Sequence, residues 1–198
     1  NYFISFKTDT RMSSESVVKA LNANLPDDVS VKSCREVADD FHARYSVKSK
    51  TYEYHILNTP FKNPFYVNRA YHYPKILTDS DIERMQVAAD NLCGKYDFYS
   101  FMASGSNVKD TVRNVYECKV VKINDEIIIK ITADGFLYNM VRIMAGSLLD
   151  VAHGRKSIED IRKALEDGKR TSAGFTAPPD GLYLCDVHYG QEIQWLCR

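Results

Sequence analysis

The chain has 198 residues, 44% of them apolar, and its 26 basic side chains are balanced by 26 acidic ones. A chain of this size buries a real core as one large domain or two small ones, and a formal charge of zero means that any basic site must be a local patch. Five cysteines (Cys34, Cys93, Cys118, Cys185 and Cys197), never spaced C-x-x-C, argue for thiols in a reducing compartment. The sequence holds neither an apolar run of the ~20 residues that cross a bilayer nor a signal-peptide pattern, so the expected location is the cytoplasm.

The first residues, Asn1-Tyr2-Phe3-Ile4-Ser5-Phe6, read as a strand that begins without an initiator methionine, as a fragment would. Ser13 or Ser14 can cap a helix carrying Val17, Val18 and Leu21 and ending near Asn24, before Pro26. Val29 to Val37 alternates as a strand does. Residues 41–56 also read as extended, with Tyr45, Val47, Ser49 and Thr51 on one side and His42, Arg44, Ser46, Lys48, Lys50 and Tyr52 on the other. A loop from Asn58 to Pro74 follows, rich in proline and aromatics. Asp79 opens a helix running through Met85 and Ala89 to Gly94, and Asp97 reads as the cap of a turn before Phe98. Two β-rich runs, Thr111 to Ile123 and Glu126 to Ala133, are joined by Asn124-Asp125 as a hairpin. A helix containing Arg142, a short helix from Ser157 to Glu166 and a last strand from Leu182 to Tyr189 complete an α+β order with a mixed, mostly antiparallel sheet flanked by helices.

Arg142 stands out in its helix. At 3.6 residues per turn, Leu137, Met140, Val141, Met144, Ala145 and Leu148 form one broad apolar face and Ile143 makes the opposite side apolar, leaving a polar stripe of Asn139, Arg142, Gly146 and Asp150. A buried guanidinium needs an anion beside it. Asp150 lies two turns away, roughly 12 Å along the axis and too far to pair. Gly146, one turn beyond the arginine, leaves room for a partner from elsewhere.

Between Phe41 and Tyr52 the cations Arg44, Lys48 and Lys50 alternate with aromatics and no acid. That pattern suits a polyanion with exposed bases, and it equally suits an edge strand whose lysines deter aggregation. Lys109 with Arg113, and Lys169 with Arg170, are further candidate phosphate contacts or ordinary surface charge. Tyr52 alone reads as a sheet-packing aromatic, and the five histidines show no metal-ligand spacing.

Several ordered motifs carry a resemblance. They are Leu21-Asn22-Ala23-Asn24-Leu25-Pro26, Phe41-His42-Ala43-Arg44-Tyr45-Ser46 with Lys50-Thr51-Tyr52-Glu53-Tyr54, and Asp97-Phe98-Tyr99-Ser100-Phe101. Thr111-Val112-Arg113, Gly135-Phe136-Leu137-Tyr138-Asn139-Met140-Val141-Arg142 and Gly181-Leu182-Tyr183-Leu184 follow. Together they resemble, across nearly all of the chain, the TruA-type tRNA pseudouridine synthases. The resemblance implies two pseudosymmetric ferredoxin-like halves sharing one catalytic domain: residues 1–57 as the remainder of the first half, 58–75 as a connecting loop and 76–198 as the second half. It implies an isomerase that detaches a uracil from its ribose, turns it and rejoins it through carbon, acting on uridines 38–40 of the tRNA anticodon stem-loop, without metal or cofactor, as a homodimer. By the same resemblance Tyr52 packs on the target base and moves a proton, and Arg142 holds the nucleophilic aspartate. Arg44, Lys48, Lys50, Lys109 and Arg113 are the expected phosphate-binding side chains. The family's nucleophile motif, R-T-D-x-G-V-H-A, has no match here: Thr8-Asp9 is followed by Thr10 rather than by x-Gly. The aspartate is therefore expected shortly upstream of Asn1, and this span alone is expected to be inactive. A non-catalytic RNA-binding module of the same fold is the alternative.

Overall fold

The computed structural model describes residues 2–190, which fall into two compact units: Lys48–His188, and Tyr2–Val47 with residues 189 and 190. Cys197 and the last part of the chain lie outside the described residues.

The larger unit is built on a sheet of six strands: β1 (Ser49–Leu57), β2 (Tyr71–His72), β3 (Gly94–Asp97), β4 (Val112–Ile123), β5 (Glu126–Ala133) and β6 (Leu182–His188). Their order is β2-β1-β5-β4-β3, with β6 pairing β1 over Ser49 to Tyr54, ahead of the short parallel contact of β2 at Ile56 and Leu57. Every other pairing is antiparallel. β5 shows why one face is committed to the core. Ile127, Ile129, Ile131 and Ala133 are buried on alternate positions, and Tyr54 and Ile56 of β1 continue that face. The expected β4–β5 hairpin is present, with Asn124 in the left-handed conformation (φ 53°) that asparagine tolerates in so tight a loop.

Three helices cover this face. α2 (Asp79–Asp90) and α4 (Ile158–Asp167) form where the sequence places helices, and both begin with a capping box, Thr78 with Asp81 and Ser157 with Asp160. α3 (Met140–Ala152) lies deepest, with every residue buried except Arg142. The arginine is thus half-exposed and marks where α3 meets solvent, which corrects the expectation of a buried cation. The α+β class, with a mixed, mostly antiparallel sheet, is the one the element order predicts.

The smaller unit departs from expectation. Its helix α1 (Ser14–Asn22) forms as read, capped by Ser13, yet neither residues 2–6 nor 29–37 is a strand. Alternation is only half of a strand's requirement, since the ladder must also find a partner. Here Asn22 takes that place locally: its carboxamide donates to the Val31 carbonyl (2.9 Å) and accepts from the Val31 N–H (2.8 Å). Residues 41–47 are not extended either. The Tyr45 and Ser46 N–H groups both donate to the His42 carbonyl, and the Ser46 hydroxyl accepts from the His42 N–H, closing a turn. Arg44 therefore sits in an exposed turn, its guanidinium 5.7 Å from the Tyr45 ring centroid, and not on the strand face that bears Lys50 and Tyr52.

Candidate active site

The candidate residues of the larger unit gather where β1 and β6, the exit of β5 and the entry of β4 meet. Lys50 pairs with Ala133, the last residue of β5, and with Val187 of β6, while Tyr52 pairs with Ile131 and Leu184. The chain leaves β5 through residues 134–139. Asp134 fastens this loop to β4, donating its N–H to the Asn114 carbonyl and accepting the Asn114 N–H on its carboxylate. Gly135 lets the Arg113 side chain lie across the loop, because a Cβ there would stand only 3.2 Å from Arg113 Nε. Phe136 meets Tyr52 edge-to-face, with centroids 5.0 Å apart. Asn139, in the left-handed conformation (φ 59°), ends the loop at the N-cap of α3.

Arg142 is gripped by neutral groups. Its Nε donates to the Ala177 carbonyl (2.6 Å), its Nη1 donates to Asn139 Oδ1 (3.1 Å), and the Ala177 N–H donates back to the Arg142 carbonyl (3.1 Å). Among the described residues no carboxylate forms an ion pair with it, and Asp150, which shares its helix face, pairs instead with Arg155 (2.6 Å). The positive charge is thus oriented without being neutralised.

The grip depends on how closely residues 173–178 cross α3. The Gly174 N–H donates to Ser147 Oγ (2.7 Å), which in turn donates to the Ile143 carbonyl (2.7 Å). The Phe175 carbonyl lies over Gly146 so tightly that a Cβ on that glycine would be 1.9 Å from it. Gly146 therefore seats the protein's own backbone, which corrects the expectation of space for a partner of Arg142. Arg170 braces the same segment through the Gly174 carbonyl (2.8 Å) and Thr176 Oγ1 (3.1 Å), so it serves an internal role. From β1, the buried Tyr54 hydroxyl donates to the Pro178 carbonyl (2.7 Å). Burial raises the Tyr54 pKa, outweighing the opposite pull of Arg142, and the phenol stays a neutral donor.

Tyr54, Phe136, Ala177 and Pro178 had no assigned part in the sequence reading. For Tyr54 a signal existed, since it stands two residues after Tyr52 on a strand and so shares its face. Lys48 is exposed at the entry to β1, where its N–H meets the His188 carbonyl, and Lys50 is half-buried beside Tyr52. Lys109 is exposed in the loop before β4. Asp97 caps its turn, accepting from the Tyr99 N–H and the Thr111 hydroxyl.

The chain is similar to known proteins. A family model described as tRNA pseudouridine synthase matches residues 88–190. A tRNA pseudouridine synthase A of Caldicellulosiruptor saccharolyticus is 47% identical over 185 residues, covering 93% of this chain and 75% of the relative. The chain belongs to the tRNA pseudouridine synthase family. Similar tRNA pseudouridine synthase A proteins occur in an Exiguobacterium species (45% identical, 94% of this chain and 74% of the relative) and in Limosilactobacillus reuteri (41% identical, 96% and 74%). The model's span takes in α3 and the crossing segment 173–178, so the Arg142 grip lies within the stretch matched to the tRNA pseudouridine synthase family.

Proposed function

We propose that the protein converts uridine to pseudouridine in the anticodon stem-loop of tRNA. The observation that carries this reading is Arg142, a guanidinium fixed by a carbonyl and an amide with no acid paired to it among the described residues, at the end of the loop whose Phe136 ring meets Tyr52. A cation so held favours an incoming anion. The resemblance implies a carboxylate nucleophile, and no motif of this sequence supplies that aspartate. In this reading Arg142 orients the aspartate while Tyr52 lays its ring on the uracil and exchanges a proton through its hydroxyl.

The target nucleotide must leave its stack to reach these groups, and cations hold the flanking phosphates meanwhile. Lys50 and Arg113 border the Tyr52 region, and Lys48, Lys109 and Arg44 are exposed cations suited to the same task. No cofactor enters the chemistry. The two-half organisation about residues 58–75, a homodimeric assembly and a cytoplasmic setting belong to the same proposal, as does the inactivity of the 198-residue span by itself.

Deleting the gene from its host tests this directly. Carbodiimide mapping of tRNA is expected to show uridine in place of pseudouridine in the anticodon stem-loop, restored by the complete gene but not by a copy encoding residues 1–198 alone. Unchanged tRNA in the deletion strain, with RNA binding retained, would favour the non-catalytic module.

A further inference from the structure

The loop that carries Phe136 and Asn139 holds a second aromatic that the site, as described, does not use. Leu137 is 5% exposed and anchors the loop in the core, whereas the next residue, Tyr138, is 57% exposed. An exposed tyrosine is unremarkable on a mobile loop, but this one is fixed on both sides. The Tyr138 carbonyl accepts the Ala103 N–H (3.0 Å), and the following Asn139 is locked as the N-cap of α3 with its amide oxygen on Arg142. The ring is thus presented to solvent from a turn whose neighbours on either side already meet Tyr52 and Arg142.

The side chains around that turn bear on the occupant. Arg113 lies across Gly135 at the start of the loop, and Lys109 is exposed in the segment that continues from Ala103. Two exposed acids share this stretch of chain, each also accepting a backbone N–H: Asp134 from Asn114 and Asp110 from Val112 (3.0 Å). An exposed ring in the loop crossed by the Arg113 side chain, whose guanidinium donates to the Asp110 and Val112 carbonyls and forms no ion pair among the described residues, suits a base on its phosphate backbone.

We infer that Tyr138 is a second stacking platform, which receives an unpaired base of the RNA next to the target uridine and so holds the strand open around the site. The inference rests on the proposed RNA substrate and deepens it. Stacking of a base on an aromatic ring contributes ~1–3 kcal/mol, which is about 5- to 150-fold in affinity.

The test uses the full-length gene product and an anticodon stem-loop RNA carrying 2-aminopurine beside the target position. Tyr138→Ala is expected to raise Kd and KM together by about tenfold, with kcat falling less, and to abolish the quenching of 2-aminopurine that wild type produces. Tyr138→Phe keeps the ring and is expected to retain both the affinity and the quenching. Wild-type Kd and quenching in Tyr138→Ala would overturn the inference while leaving the isomerase reading intact, as would a loss confined to kcat. Absence of RNA binding by the wild-type protein would overturn both.

Discussion

Gly146→Ala is expected to destabilise the protein and to remove most of its activity, although a glycine-to-alanine change inside a helix ordinarily stabilises by about 1 kcal/mol. The sign reverses because the added Cβ would stand 1.9 Å from the Phe175 carbonyl oxygen and 2.9 Å from its carbon. Those are backbone atoms, so no rotamer change relieves the clash and the crossing segment must move. Overpacking of this kind costs about 1–3 kcal/mol. Displacement also strains the Gly174–Ser147 and Arg142–Ala177 hydrogen bonds, whose buried partners cost about 1–3 kcal/mol each if left unsatisfied. A total loss of about 3 kcal/mol or more is a large part of the ~5–15 kcal/mol by which a domain is stable. Urea denaturation of the full-length protein reads that loss. Turnover of the folded fraction is expected to fall by about 10²-fold, because a displaced Ala177 carbonyl no longer aims the guanidinium. Wild-type stability in Gly146→Ala would show that the segment does not need its close approach to α3.

Arg142→Lys separates charge from geometry at the same place. A lysine keeps the positive charge but not the planar fork that reaches the Ala177 carbonyl with Nε and Asn139 with Nη1. The fold should tolerate the change at a cost of about 1.5–3 kcal/mol, the order of a lost hydrogen bond to a charged group, since the side chain is only half-buried. Single-turnover conversion is expected to fall by about 10²-fold, and further in Arg142→Ala, with RNA affinity changing far less. On the proposed reading the effect belongs in the chemical step, where Arg142 would hold the reacting carboxylate while Lys48 and Lys50 would hold phosphates. Turnover at the wild-type rate in both variants would remove Arg142 from the site.

The helices and the hairpin were legible in the sequence because their signals are local. Thr78 and Ser157 stand three residues before an aspartate, β5 sets Ile127, Ile129 and Ile131 on one face with Glu126, Lys130 and Thr132 among those opposite, and α3 is apolar on nearly every side but that of Arg142. Residues 29–37 alternate as well, yet Val31 satisfies its backbone on the Asn22 side chain, an interaction that no periodicity reveals. The candidate site was legible only where side chains carry it. Tyr52, Arg113 and Arg142 could be named in advance, while the Ala177, Pro178 and Phe175 carbonyls work through the backbone and leave no side-chain signature. Gly146 was noticed for the right reason, its missing side chain, but the space admits the crossing segment and not a partner for the arginine.

Because pseudouridine is joined through the carbon at position 5 of the uracil, each conversion must release the hydrogen held there. The most direct measurement is therefore tritium release from anticodon stem-loop RNA containing 5-tritiated uridine, with the full-length protein in pure form and no metal or cofactor added. One tritium per modified uridine, lost in parallel with the appearance of pseudouridine and suppressed in Arg142→Ala, is the predicted result. RNA bound with no release of tritium would contradict the assignment of an isomerase site around Tyr52 and Arg142.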